Sequence, residues 1–239
     1  MCYHNSLKAT AKELSTYYHA EVGDPTLWEP VHHFNGFGKR PWPIITDRDP
    51  HMIQLFQWQF IPPFAKSEDV SDGKFKFNTL NAVGEEIFEK ASYRKSIIEK
   101  RCLVPSTGFY EFKHEGAGKT EVKKGHFIYL QDQSIFSLAG IWNSWIDHRT
   151  GESFDTFSIV TVAANELMSV IHNSKKRMPV ILPRDLEGKW LQPKLSREEI
   201  SAMIQPFDTN LMKAHQIGKL ITARGVDTNV PEVSEECIW

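Results

Sequence analysis

Few cysteines, no long apolar run and no excess of positive charge mark this sequence. The 239 residues hold three cysteines, Cys2, Cys102 and Cys237, at wide spacing and without a CxxC pair. A disulfide framework and a zinc ribbon are both excluded by that pattern, and no metal site is expected. The pair His32-His33 gives no metal site either, because adjacent strand residues point to opposite faces. No stretch approaches the roughly 18 apolar residues of a membrane span. The opening MCYHNSLKATAKEL lacks the apolar run of a secretory signal. These absences lead to the expectation of a cytoplasmic protein with reduced thiols. Lys and Arg number 28 against 30 Asp and Glu, a formal net charge of -2. Nothing global therefore points to nucleic acid, and any site for it must be a local basic patch.

What is present is an ordinary globular composition, 41% hydrophobic and 24% charged. There is no repeat, low-complexity tract or long linker, and the expectation is one domain over residues 1–239. Helical spacing runs from Ser6 to His19, with Leu7, Leu14, Tyr17 and Tyr18 on about one face. Trp28 to Thr46 is aromatic-rich and broken by Pro and Gly into short strands and turns. Met52 to Phe60 alternates as a strand, and Lys66 to Lys76 reads as a polar loop. Glu85 to Glu99 reads as a helix, followed by strands at Arg101–Val104 and Gly108–Lys113 and a hairpin loop over His114–Lys124. Further strands are expected at Phe127–Leu130, Ile135–Trp142, Phe154–Ala163 and Val180–Leu182. Short helices are expected at Asn165–His172, Asp185–Trp190 and Arg197–Ile204, with Asn165 as a cap, and a last strand near Leu211–Leu220. Strands predominate and no βαβ rhythm appears. The fold class is α+β: a curved, mostly antiparallel sheet or barrel-like core flanked by short helices.

Four residues stand out for chemistry. If Met1 is removed, Cys2 carries a thiol and an α-amine together. Such a 1,2-aminothiol condenses with an aldehyde to a Schiff base, which the thiol closes to a thiazolidine with the advantage of an intramolecular step. Read alone, Cys2 is equally an incidental cysteine. Glu111 lies among Phe109, Tyr110 and Phe112, and an apolar setting raises a carboxyl pKa toward the range useful for proton transfer; the alternative is an outward strand residue. His172 precedes the basic run Lys175-Lys176-Arg177, as an acid/base beside a phosphate site or as a solvated histidine at a helix end. Asn81 reads as a turn or cap residue. Trp42, Trp58, Phe60 and Phe64 are either base-stacking platforms or core.

The order of these pieces resembles the SOS response-associated peptidase (SRAP) family of abasic-site processing proteins. Met1-Cys2 is one element of the resemblance. Trp58-Gln59-Phe60-Ile61-Pro62 and Asn81-Ala82 are two more. Arg101-Cys102-Leu103-Val104-Pro105 followed by Gly108-Phe109-Tyr110-Glu111-Phe112 is the most specific. The last is Ile159-Val160-Thr161 with His172 and Arg177-Met178-Pro179-Val180-Ile181-Leu182. The resemblance implies that Cys2 is the covalent nucleophile after loss of Met1, that Asn81 holds its backbone and amine, that Glu111 shuttles protons and that His172 helps open the deoxyribose ring. It further implies a thiol peptidase acting on its own N-terminus and single-stranded DNA containing abasic sites as partner; beside it, no cofactor, a monomer and association with the nucleoid when bound to DNA are expected. A cysteine peptidase acting on other proteins is the alternative, and a non-catalytic single-strand binder is a third reading.

The chain departs from the family pattern where it has Tyr3 and His4 in place of Gly-Arg, and Val83 in place of Arg. The gap between His172 and Arg177 is also longer than the common form. Lys175, Lys176 and Arg177 are the nearest basic replacements for phosphate contact, with His4 a weaker one, Thr161 a hydroxyl donor and Trp58 a stacking candidate.

Overall fold

The computed structural model describes residues 2–71 and 78–237. The order begins β1 (His4–Leu7), α1 (Ala11–Tyr18), β2 (Glu21–Val22), β3 (Val31–Asn35), β4 (Pro41–Thr46), β5 (Met52–Trp58) and α2 (Ser67–Ser71). It continues β6 (Asn81–Val83), α3 (Ser96–Glu99), β7 (Arg101–Ser106), β8 (Gly108–Glu115), β9 (Val122–Leu130), β10 (Phe136–Ile146) and β11 (Ser153–Ala163). It ends α4 (Glu166–Ile171), β12 (Arg177–Pro179), β13 (Ile181–Leu182), α5 (Arg184–Trp190), α6 (Arg197–Met203) and β14 (Met212–Gln216).

The architecture is α+β and sheet-rich. One sheet runs β14-β9-β8-β1-β3, with antiparallel neighbours throughout. The other runs β12-β11-β10-β7-β4-β5-β2. There β11 also pairs with β5 in parallel, Thr156 opposite Gln57 and Phe157 opposite Trp58. That pairing closes β11-β10-β7-β4-β5 on itself, so this sheet is a barrel and these strands have no free edge. The barrel core is aromatic: Trp42 and Trp58 are fully buried, Phe34 stacks on Trp42 at 5.7 Å and Trp58 on Phe157 at 6.1 Å. Buried indole N–H groups need acceptors, and they have them: Trp58 Nε1 donates to the Leu80 carbonyl and Trp42 Nε1 to that of Pro105. Arg101, also fully buried, donates to the carbonyls of Ile97, Ile98, Trp190 and Gln192. It thereby ties the ends of α3 and α5 to the barrel.

Two expected helices are corrected. The first begins only at Ala11, because Thr10 and Glu13 form a reciprocal capping box there. Asn5, Ser6 and Leu7 instead pair with β3 and β8, since the backbone groups of this segment find partners between two strands. Of Glu85–Glu99, only Ser96–Glu99 is α-helix; Gly84–Glu86 is a 3-10 turn. Gly84 is pressed against Ile204, and the Glu85 carboxylate accepts from the Ala163 amide and from Arg177. Those tertiary contacts override helical spacing. Residues 72–76 of the expected Lys66–Lys76 loop lie outside the described residues; Ser67–Ser71 is helical. The expected hairpin loop is shorter than read, because β8 runs to Glu115 and β9 starts at Val122.

Strand β8 positions the candidate site. Its residues alternate between faces: Phe109 belongs to the main core with Cys2, whereas Tyr110 packs with Phe127, Ile217, Ile221 and Val233 on the outer side. Glu111 therefore shares the inner face with Phe109. The strand starts at Gly108 because nothing larger fits: a Cβ would lie 2.2 Å from Phe127 Cζ and 2.9 Å from the Ile128 carbonyl oxygen. Gly108→Ala is expected to lower stability by about 2–3 kcal/mol, read as a lower urea midpoint; an unchanged midpoint contradicts this packing.

Candidate active site

Four elements deliver four side chains to one place. Cys2 precedes β1 and is fully buried; its thiol donates to the His4 carbonyl at 3.8 Å. Asn81, on β6, donates from Nδ2 to the Cys2 carbonyl at 2.8 Å. Its Oδ1 is buried with no hydrogen-bond partner among the described residues. Strand β6 reaches this position by parallel pairing with β11, Ile159 opposite Asn81. Glu111 comes from β8 and His172 from the C-terminal end of α4.

His172 is fixed from several sides. Its amide donates to the Met168 carbonyl, its Nδ1 lies 2.8 Å from the Arg177 carbonyl oxygen, and its own carbonyl accepts from Lys176 at 2.7 Å. A carbonyl can only accept, so Nδ1 carries the proton and Nε2 is the basic nitrogen. Asn173 clamps the turn to β8: Oδ1 accepts from the His114 amide at 3.0 Å and Nδ2 donates to the His114 carbonyl at 2.8 Å. Lys176 closes the turn in the left-handed region, φ 50.

The carboxyl and imidazole lie 3.7 Å apart, near enough for an ion pair, but burial works against the charged form of each. Burial raises the Glu111 carboxyl to about 8 and lowers His172 to about 4. Both are therefore neutral near pH 7, which avoids the desolvation cost of a buried ion pair. Burial, reinforced by Glu111, also raises the Cys2 thiol well above its ordinary value. The site brings together a buried acid, base and thiol, each favoured in its uncharged form.

Glu111 and His172 open onto a cleft of about 570 Å³, which Tyr3, Val83, Phe112, His114, Lys123, Ser174, Lys175 and Arg177 also line. Lys123 and Lys175 are exposed at its rim. A chain of net charge -2 thus carries a local basic patch beside its buried acid.

The residues expected to contact DNA fare unevenly. Lys175 and Arg177 line the cleft, Arg177 in a two-pronged pair with Glu85 at 2.7 Å. Lys176 is exposed but outside the lining. Trp58 is corrected to core, since a fully buried indole has no face for a base. Thr161 is corrected likewise: it is fully buried, and Arg177 Nη2 occupies its carbonyl at 2.8 Å. His4 is corrected as a phosphate cation. Its Nδ1 meets His33 Nε2 at 2.8 Å, and burial lowers it to about 3, so it carries no charge. The sequence reading missed Lys123 and His114. They face each other across the β8–β9 hairpin, and folding that hairpin symmetrically outward from Glu111 places both beside the acid. Among the described residues no helix is long and apolar enough to cross a membrane, and no group of three or more His, Cys, Asp or Glu could hold a metal ion.

The pH dependence of stability follows from Glu111. Its folded-state value lies above the unfolded one, so its favourable contribution is full below about pH 4.5 and is lost as pH rises through about 8. Glu111→Gln keeps the shape and cannot ionise. Its melting temperature relative to the wild type is expected to rise steadily from about pH 5 to 9; a constant difference contradicts the buried acid.

Residues 1–223 match the sequence model of the SOS response associated peptidase (SRAP) family. The chain is 35% identical over 181 residues to the abasic site processing protein YoaM of Bacillus subtilis (strain 168), covering 75% of this chain and 74% of that one. It is 28% identical over 204 residues to the abasic site processing protein HMCES of Gallus gallus, covering 77% and 57%. The crystal structure of a protein from Bacteroides thetaiotaomicron superposes with a TM-score of 0.89 at 38% identity, over 99% of this chain and 100% of that one.

Proposed function

The chain belongs to the SRAP family, and from that premise we propose that it processes abasic sites in single-stranded DNA by a covalent crosslink through Cys2. The observation that carries the proposal is the pair Glu111 and His172 on a basic-rimmed cleft, with Cys2 buried within electrostatic reach of Glu111 and held by Asn81. The names of the relatives, abasic site processing proteins, support the substrate class.

The chemistry starts with loss of Met1. The Cys2 thiol attacks the Met1 carbonyl carbon, the acyl group passes from nitrogen to sulfur, and water cleaves the thioester to release methionine and the Cys2 amine. The partnerless Oδ1 of Asn81 is then available to accept from that amine while Nδ2 keeps the Cys2 carbonyl. His172 Nε2 takes the proton of the sugar's anomeric hydroxyl and returns it to the ring oxygen as the ring C–O bond breaks, exposing the aldehyde. The amine adds to that aldehyde. Neutral Glu111 protonates the departing hydroxyl, water leaves, and a protonated imine forms. The Glu111 carboxylate takes the thiol proton as sulfur adds to the carbon of the protonated imine, which restores the neutral acid and leaves the ring N–H in place. The sum is aldehyde plus aminothiol giving thiazolidine plus water.

The protonation states fit this order. A thiol held uncharged by burial is a poor nucleophile on its own. It reacts here because the imine carbon is held beside it and a base is adjacent. The same burial disfavours a cysteine peptidase acting on other proteins, which needs an accessible thiolate. The exposed Lys123 and Lys175 suit the DNA phosphates.

Incubation of Met1-free protein with single-stranded DNA carrying one abasic site is expected to give a slower band on a denaturing gel. That band is absent with Cys2→Ala. No band, or an equal band from the variant, contradicts the proposal.

A further inference from the structure

Tyr3 follows Cys2 directly, and its side chain lines the same cleft as Glu111 and His172. Its hydroxyl accepts from Asn78 Nδ2 at 2.8 Å, and its ring meets that of Phe37 at 5.0 Å with a 46° tilt. Phe37 is 57% exposed, a large apolar side chain that fills no core. Its exposure is built in. The Gly36 amide donates to the Tyr3 carbonyl at 2.8 Å, and the Asn35 side chain accepts from the Phe37 amide at 3.1 Å. A Cβ on Gly36 would lie 2.9 Å from the Trp58 ring. The turn is thus pressed flat on buried Trp58, and the next side chain projects outward beside Tyr3.

We infer that Tyr3 and Phe37 form a stacking platform for the base of the nucleotide adjoining the abasic site. The inference rests on the proposed function and adds a recognition element to it. An abasic nucleotide leaves its neighbour's base unstacked on one side. With the reacting sugar at Cys2, that base lies within one nucleotide of the aromatic pair. An aromatic ring takes any base without sequence readout, and the exposed lysines of the same cleft suit the flanking phosphates. Tyr3 stands beside His4, which is uncharged and paired with His33. Stacking here supplements charge.

The test uses single strands in which 2-aminopurine flanks a tetrahydrofuran abasic analogue, which binds but cannot react, on one side or the other. Natural abasic DNA is run in parallel for crosslinking. Wild-type protein is expected to quench 2-aminopurine on one side of the analogue. Tyr3→Phe, which keeps the ring, retains the quenching. Tyr3→Leu and Phe37→Ala lose it and bind about tenfold more weakly. Phe37 is exposed, so its truncation does not threaten folding. If the wild type crosslinks natural abasic DNA but quenches on neither side, or if quenching survives in both Tyr3→Leu and Phe37→Ala, the platform is overturned and the covalent reaction stands. If the wild type fails to crosslink, the proposed function falls and the platform falls with it.

Discussion

Burial of the Glu111 carboxyl is the constraint on which the rest of the cleft depends. An acid on the inner face of β8, beside Phe109, is held neutral to about pH 8. That neutrality lets an imidazole sit 3.7 Å away without charge, while burial keeps the nearby thiol protonated. Were Glu111 ionised at neutral pH, the pocket would hold a buried anion, which is costly, or would draw His172 into an ion pair. Either outcome removes the proton donor. The barrel makes the constraint possible, since its closure through β5 and β11 gives a rigid wall from which β6 carries Asn81 to the Cys2 backbone.

Charge is organised locally. The chain as a whole is slightly acidic, yet the cleft gathers Lys123, Lys175, Arg177 and His114 around an acid that carries no charge. Arg177 serves the structure as well, since its pair with Glu85 and its bond to the Thr161 carbonyl fasten β12 to the turn before α3. The cations free to meet a ligand are those at the rim. The turn from His172 to Arg177 supplies one of them, and the Asn173 clamp on β8 sets its position.

Much of this was legible in the residues. Strand-like patterning located β5, β7, β8, β10 and β11, and the aromatic frame of Glu111 pointed to a raised carboxyl, with an outward strand residue as the alternative. Asn165 was readable as the cap of α4, where it accepts from the Met168 amide. What escaped reading was set by tertiary contact. Ser6 and Leu7 carry helical spacing but find strand partners on both sides. Trp58 has the chemistry of a stacking platform and is core, because barrel closure places it against Phe157. His4 looked like a cation and is a neutral partner of His33, a residue 29 positions away that no local pattern links to it. Lys123 needed the hairpin register, and Tyr3 read as a departure until the cleft showed what it lines.

The most direct measurement is titration of the Glu111 side-chain carboxyl carbon by NMR in selectively labelled protein. The arrangement described here predicts a midpoint near 8, with His172 remaining neutral down to about pH 4. A Glu111 midpoint near the ordinary carboxylate value of about 4.3 would contradict it, because the acid that delivers the proton would then be absent at neutral pH.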